Sequence, residues 1–379
     1  MTLTPGCLQG KIAAIPSKSD LHRIAIASSL AGQDCGAVPE ISEDIGATKA
    51  ALQAIFSEKM TTVDCKESGS TLRFLLPVAA ALAKSCTFTG TGRLPARPLQ
   101  PLLGLLRAHG CAIDAERLPL QIGGRLLPGR FALPGNISSQ FVTGLLFALP
   151  LLPDGSEIAL TSPLESRGYV DMTLRTLACF SIVIEKTPQG FFVPGGQCYL
   201  PPASALLAPE GDWSNAAFWL AANALGSDVT VANLDRESAQ PDRVVERLFA
   251  QSGDLVLDAA ACPDLVPIAA VVMALTPGVH TIQNAARLRL KESDRLAAMA
   301  QNLNTLGAEA TELPDGLRIR GSNHLRGGVV ESHNDHRIAM AMAIAALRCD
   351  GPVLLRGAQA VAKSYPGFWE DYNRLKGNA

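Results

Sequence analysis

Apolar residues recur at helical spacing along most of this chain, and the helical stretches alternate with short runs in which apolar and polar residues alternate. One order repeats: an amphipathic helix, then Gly or an equivalent breaker, then two short strands joined by a tight turn. It runs PLLGLLRAHGCAIDAERLPLQIGG from Pro101, LRTLACFSIVIEKTPQGFFVPGG from Leu174, and AMAQNLNTLGAEATELPDGLRIRG from Ala298. Gln189-Gly190 and Asp315-Gly316 are hairpin turn signals. The stretch VVERLFAQSGDLV from Val244 reads as a partial copy whose hairpin has diverged or been cut down. A helix with one apolar face packs on a sheet. The repetition therefore predicts an α/β architecture of several similar units around shared helices, rather than one doubly wound sheet. The apolar runs 141–152 and 338–347 are too short to cross a bilayer and begin beside polar, helix-starting residues, so they are expected to be buried helices.

With 379 residues, the chain exceeds what one core usually organises, which predicts two domains with a cleft between them. The expected hinge runs from Pro201-Pro202 to Gly211-Asp212, just before a helix starting around Trp213. A hydrophobic fraction of 47%, a charged fraction of 18% and a net charge of -2 are ordinary for a globular protein. The basic residues are scattered, so neither disorder nor nucleic-acid binding is expected. Nine cysteines without a C-x-x-C pair argue against a disulfide framework and a structural zinc site, and they are read as reduced thiols. The amino terminus lacks the basic-then-apolar order of a secretory signal, so the expected compartment is the cytoplasm, with no membrane contact. Dinucleotide and P-loop fingerprints are absent. The cluster His333, Asp335 and His336 matches no common metal-ligand spacing, and no metal is expected.

Four segments put small polar or basic residues where an apolar helix begins: Ser17-Lys18-Ser19-Asp20-Leu21-His22-Arg23, Ser68-Gly69-Ser70-Thr71-Leu72-Arg73, Ser138-Ser139-Gln140 and Asn334-Asp335-His336-Arg337. Helix amino termini offer N–H groups and a positive dipole to anions. Plain N-caps are the competing explanation, because Ser, Asn and Asp are preferred there for stability alone. Capping explains neither Lys18 nor Arg23, so an anion is expected near them. Gly69 permits a close backbone approach, and Arg73 can reach the same anion with a bidentate fork. A fifth segment, Arg289-Leu290-Lys291-Glu292-Ser293-Asp294-Arg295, opens a helix carrying Leu296, Met299, Leu303 and Leu306, with Ser293 or Asp294 as its cap. There a carboxylate beside two cations can shuttle protons while the cations hold an anionic substrate. Asp264 precedes an apolar helix as either a cap or a base.

Taken in order, these segments resemble the signature set of the 5-enolpyruvylshikimate-3-phosphate synthase family, and Arg97-Pro98, Ser166 with Tyr169, and Lys363-Ser364 match it as well. The resemblance implies two similar domains, each of three βαβαββ units, with residues 1–16 and 209–379 in one and 17–208 in the other. It places the active site in the interdomain cleft. It implies transfer of the carboxyvinyl group of phosphoenolpyruvate to shikimate 3-phosphate by addition and elimination, with no cofactor, in a protein expected to be a monomer. Lys18, Asp264 and Glu292 would be catalytic. Lys18, Ser19, Arg23, Ser138, Ser139, Gln140, Ser166, Tyr169, Asp264 and Lys291 would bind shikimate 3-phosphate. Lys18, Gly69, Arg97, Gln140, Arg295, His336, Arg337 and Lys363 would bind phosphoenolpyruvate, a site for which glyphosate is expected to compete. Glu67, Gly168 and Arg287 depart from the family's usual residues, and the chain is shorter than many members, which predicts trimmed hairpins. The alternatives are the sister activity on UDP-N-acetylglucosamine, whose members commonly carry a cysteine where Gly92 stands, and a binding paralogue without turnover.

Overall fold

The computed structural model describes residues 1–57, 61–202, 208–251 and 253–377. Residues 203–207 of the expected hinge lie outside that set. The chain opens with strands β1 (Thr2–Leu3) and β2 (Gln9–Ala13), followed by helices α1 (Lys18–Leu30) and α2 (Glu43–Phe56). A first βαβαββ set follows as β3 (Thr61–Asp64), α3 (Gly69–Ala81), β4 (Cys86–Thr89), α4 (Leu102–Ala108), β5 (Cys111–Ile113) and β6 (Leu120–Gly124). The second is β7 (Arg130–Leu133), α5 (Ser139–Ala148), β8 (Ser156–Leu160), α6 (Arg167–Cys179), β9 (Glu185–Thr187) and β10 (Gly190–Val193). Then come α7 (Trp213–Ala224), β11 (Asp228–Ala232) and α8 (Val245–Phe249), ahead of a third set, β12 (Val256–Asp258), α9 (Val266–Ala274), β13 (Gly278–Gln283), α10 (Arg295–Thr305), β14 (Glu309–Leu313) and β15 (Gly316–Gly321). The chain ends with β16 (Gly328–Glu331), α11 (His336–Ala346), β17 (Val353–Arg356) and α12 (Phe368–Leu375).

All three complete sets share one strand order, β3-β4-β6-β5, β7-β8-β10-β9 and β12-β13-β15-β14. In each, the first two strands are parallel and the hairpin returns antiparallel to the second strand. These hairpins are the repeats visible in the sequence from Pro101, Leu174 and Ala298. The partial copy from Val244 is α8, after which the chain enters β12 with no hairpin of its own. β2 and β11 form a two-stranded parallel sheet. β1 pairs antiparallel with β17, which is itself parallel to β16, so two residues from the chain's start take the place of the returning strand. The fold is α/β, built from repeated sets of which some are cut down.

Contacts divide the chain into two compact units: a terminal unit, Met1–Ser17 with Glu210–Ala379, and a central unit, Lys18–Pro209. Each has its own core. In the terminal unit every residue of α9 and of α11 is buried. In the central unit, α3 and α5 hold the same position, with Leu72, Leu75, Leu76, Phe141, Leu145 and Phe147 inaccessible or nearly so. The runs 141–152 and 338–347 are thus buried helices, and among the described residues no helix is long and apolar enough to cross a membrane.

α3 and α5 pack closely enough to exclude a side chain between them. A methyl at Gly144 would stand 2.3 Å from the Arg73 carbonyl oxygen. Helix propensity alone would favour Ala over Gly by about 1 kcal/mol. Backbone cannot yield as a flexible side chain does, so the clash decides the sign. Gly144→Ala is expected to destabilise the protein by about 1–3 kcal/mol, read as a lower urea midpoint at unchanged slope; a raised midpoint would contradict this packing.

Candidate active site

The site segments begin at helix starts in both units. In the central unit, Ser68 caps α3 by accepting from the Thr71 N–H at 3.2 Å, and Ser138 caps α5 through the Gln140 N–H at 3.3 Å. A capped helix end still offers N–H groups to an anion, so the two readings of the sequence are not exclusive. Gly69 is the first residue of α3, and a Cβ there would lie 2.6 Å from Arg73 Nη1 and 2.8 Å from Arg97 Nη1. Two guanidinium groups therefore rest against the one position that carries no side chain. Gln140 joins the two helix starts: its Nε2 donates to Ser70 Oγ at 2.9 Å, and its Oε1 accepts from Arg73 Nη1 at 3.2 Å.

Lys18 is the first residue of α1, and its ammonium pairs with Asp44 Oδ2 at 2.7 Å, both side chains being largely buried. Arg23 lies inside the unit. It donates to Thr173 Oγ1 at 2.9 Å, to the Tyr169 carbonyl at 2.7 Å and to the Ser19 carbonyl. Burial draws its pKa down to about 10, partly offset by Asp20 and Tyr169. Arg23 thereby ties α1 to α6, ahead of which Ser166 sits buried in a left-handed conformation at φ 52°. Ser139 is buried in the first turn of α5.

In the terminal unit the centre is Arg295, 1% exposed at the start of α10. Its Nε donates to Asp335 Oδ2 at 2.8 Å, its Nη1 to Asp264 Oδ1 at 3.0 Å and its Nη2 to Glu292 Oε2 at 2.9 Å. Burial alone would weaken its hold on the proton, yet Asp335, Glu292 and Asp264 keep it well above the usual arginine range. Arg337, in the first turn of α11, donates to Asp264 Oδ2 at 2.8 Å. Burial would raise the Asp264 pKa, but Arg337, Lys291 and Arg295 overcome that and hold the carboxyl far below its usual range. Asp335, fully buried, caps α11 through the Arg337 N–H at 3.0 Å and also accepts from Ser293 Oγ at 3.0 Å. His336, the first residue of α11, is 2% exposed. Lys363 Nζ donates to the Asn334 carbonyl at 2.7 Å, where His333 and Asn334 take left-handed φ of 52° and 56°.

Several readings of the sequence are sharpened here. Asp294, not Ser293, caps α10, by accepting from the Ala297 N–H. Asp264 caps nothing: it lies in the 3-10 turn Pro263–Leu265 ahead of α9, and its carboxylate goes to two arginines. Arg287 donates to the Ala260 carbonyl at 2.6 Å, in the segment between β12 and that turn. Asp44 and Thr173 were not anticipated, because each acts across the fold on a residue far away in sequence. Among the described residues no cluster of His, Cys, Asp or Glu is arranged to hold a metal ion.

The depressed Asp264 pKa gives a stability prediction. Its stabilising contribution is fully present above the usual carboxylate pKa and is lost as pH falls through the lower, folded-state value. Asp264→Asn should therefore cost most stability near neutral pH, with the gap to wild type narrowing on acidification. A gap constant from pH 7 down to pH 3 would contradict the ion-pair geometry.

Residues 36–372 match the family described as EPSP synthase (3-phosphoshikimate 1-carboxyvinyltransferase). The 3-phosphoshikimate 1-carboxyvinyltransferase of Clostridium acetobutylicum is 43% identical over 420 aligned positions, covering 99% of this chain and 97% of that protein. Its counterpart from Clostridium novyi is 40% identical with the same coverage. In fold the chain is similar to the EPSP synthase of Acinetobacter baumannii, with a TM-score of 0.77 at 24% identity over 99% of this chain and 98% of that one. It is also similar to the enolpyruvyl transferase NikO of Streptomyces tendae, with a TM-score of 0.75 at 17% identity over 99% and 96% of the two chains. With a match that spans most of its length and relatives this similar from end to end, the chain belongs to the EPSP synthase (3-phosphoshikimate 1-carboxyvinyltransferase) family.

Proposed function

We infer that this chain transfers the carboxyvinyl group of phosphoenolpyruvate to the 5-hydroxyl of shikimate 3-phosphate and releases inorganic phosphate. The observation that carries the reading is the gathering of Asp264, Glu292 and Asp335 on the buried Arg295, with Arg337 on the far oxygen of Asp264. Such a cluster sets carboxylates beside cations at a helix start, which suits proton transfer next to an anionic ligand. The hydroxyl oxygen attacks C2 while C3 gains a proton; the tetrahedral adduct then loses a proton from C3 and expels phosphate.

In this proposal Glu292 enters the reaction protonated, gives that proton to C3 and takes one back from C3, while the proton that Asp264 takes from the hydroxyl leaves with the phosphate. Asp264, unprotonated at neutral pH, accepts the proton of the attacking hydroxyl, and its paired arginines set how weakly it holds that proton. Lys18 stabilises developing charge. Ser19, Arg23, Ser138, Ser139, Gln140, Ser166, Tyr169 and Lys291 hold shikimate 3-phosphate, and Gly69, Arg97, Gln140, Arg295, His336, Arg337 and Lys363 hold phosphoenolpyruvate. Helix-start N–H groups, hydroxyls and guanidinium forks match two phosphorylated ligands, each of which also bears a carboxylate. We further propose that the protein works as a cytoplasmic monomer.

Gly92 weighs against the UDP-N-acetylglucosamine alternative. Its φ is +59°, a backbone conformation that a cysteine rarely adopts, and a Cβ there would stand 2.4 Å from the Glu67 carboxylate.

The protein should release phosphate when given phosphoenolpyruvate with shikimate 3-phosphate, and not with UDP-N-acetylglucosamine. The reverse pattern establishes the alternative activity, and ligand binding without release establishes the non-catalytic paralogue. Lys18→Ala should lower turnover by about 100-fold or more, the scale of losing one preorganised charge-stabilising group; wild-type turnover in that variant removes Lys18 from the mechanism.

A further inference from the structure

A buried line of hydrogen bonds crosses the central unit from α1 to the start of α3, through residues that none of the roles above assigns. His22 Nδ1 lies 2.8 Å from Thr48 Oγ1, Thr48 Oγ1 lies 2.6 Å from Thr71 Oγ1, and Thr71 Oγ1 donates to Ser68 Oγ at 2.7 Å. His22, Thr48, Thr71 and Ser68 are each 1% exposed or less. A hydroxyl has a single proton to give. Thr48 Oγ1 also lies 3.2 Å from the Asp44 carbonyl, an acceptor that competes with Thr71 for its one proton. Burial first, then the nearby Lys18 and Arg23 charges, pushes the His22 pKa well below its ordinary value and keeps the ring neutral. The line thus runs unbroken from His22 through Thr48 and Thr71 to Ser68.

Its two ends touch what the proposed function uses. His22 sits in α1, between Lys18 and Arg23. Thr48 is one turn along α2 from Asp44, which pairs with Lys18. Ser68 caps α3 and directly precedes Gly69, against which Arg73 and Arg97 rest. With a Cβ at Gly69 only 2.6–2.8 Å from two guanidinium nitrogens, a shift of a few tenths of an ångström in that turn changes where both cations lie.

We propose that Thr48, with His22 and Thr71, is a positioning residue for the phosphoenolpyruvate site, fixing the Ser68-Gly69 turn relative to the helix that carries Lys18. This rests on the reading that phosphoenolpyruvate binds at Gly69. A neutral hydrogen-bonded line suits that task better than a charged contact, because it adds no anion to compete for Lys18 and no cation to draw the ligand away from Arg97. Buried hydroxyls left without partners are costly, so the line holds one arrangement rather than several.

The test compares Thr48→Val, which keeps the shape and removes the hydroxyl, with Thr48→Ser, which keeps the hydroxyl. Thr176→Val serves as the control: Thr176 Oγ1 donates to the Met172 carbonyl inside α6, away from this line. Phosphate release by the wild type with both ligands first establishes the activity, so failure there is separate from failure of the inference. Thr48→Val should raise the KM for phosphoenolpyruvate about 10-fold, the effect of about 1.4 kcal/mol. The KM for shikimate 3-phosphate should change less than 2-fold, Thr48→Ser should restore the wild-type value, and Thr176→Val should lower the melting temperature without moving either KM. Equal changes in both KM values, or no rescue by Ser, would overturn the inference. Should Thr48→Val not fold, Thr71→Val and Thr71→Ser read the same line one step nearer Gly69, and an unchanged phosphoenolpyruvate KM in folded Thr71→Val would overturn it equally.

Discussion

A helix buried on every face can offer only its ends, and that constraint shapes both units of this protein. α11 has no exposed residue, and α3 and α5 have almost none. The chemistry the chain can present therefore lies at their amino termini, where unpaired N–H groups face outward and a positive dipole favours anions. Ser68, Ser138 and Asp335 satisfy part of that demand as caps. The residues beside them, Gly69, Ser139, His336 and Arg337, occupy the first turns.

The two units manage charge differently. In the terminal unit, cations and carboxylates are interleaved, with Arg295 held by three acids and Asp264 by two arginines. A buried ion of either sign is tolerated only when paired, so removing one member strands another. In the central unit Arg73 and Arg97 converge on a glycine, and the lysine of α1 has its carboxylate partner in Asp44.

How much of this the sequence disclosed follows from how local each signal is. The hairpins from Pro101, Leu174 and Ala298 were legible because helix, breaker and turn lie within about two dozen residues of one another. The helix starts at Lys18, Gly69, Ser139, Arg295 and His336 were legible because caps and first-turn residues are neighbours in sequence. β1 completing the β16-β17 sheet was not, since a two-residue strand carries no periodicity and its partner lies some 350 residues away. Nor were Asp44, Thr48 and Thr173: each is an ordinary helix residue whose importance comes from a partner in another element. Asp264 could be read as cap or base from sequence, and its two arginine contacts remove the cap reading.

In the proposed function Arg97 and Arg337 act on the same small anion. A double-mutant cycle on kcat/KM for phosphoenolpyruvate, using Arg97→Ala, Arg337→Ala and the pair, tests it directly. The account expects each single change to lower kcat/KM strongly and the double change to cost less than the product of the two, because either loss already disorders the shared ligand. Strict multiplicativity, or full activity in either single variant, would mean that the two arginines do not serve one ligand.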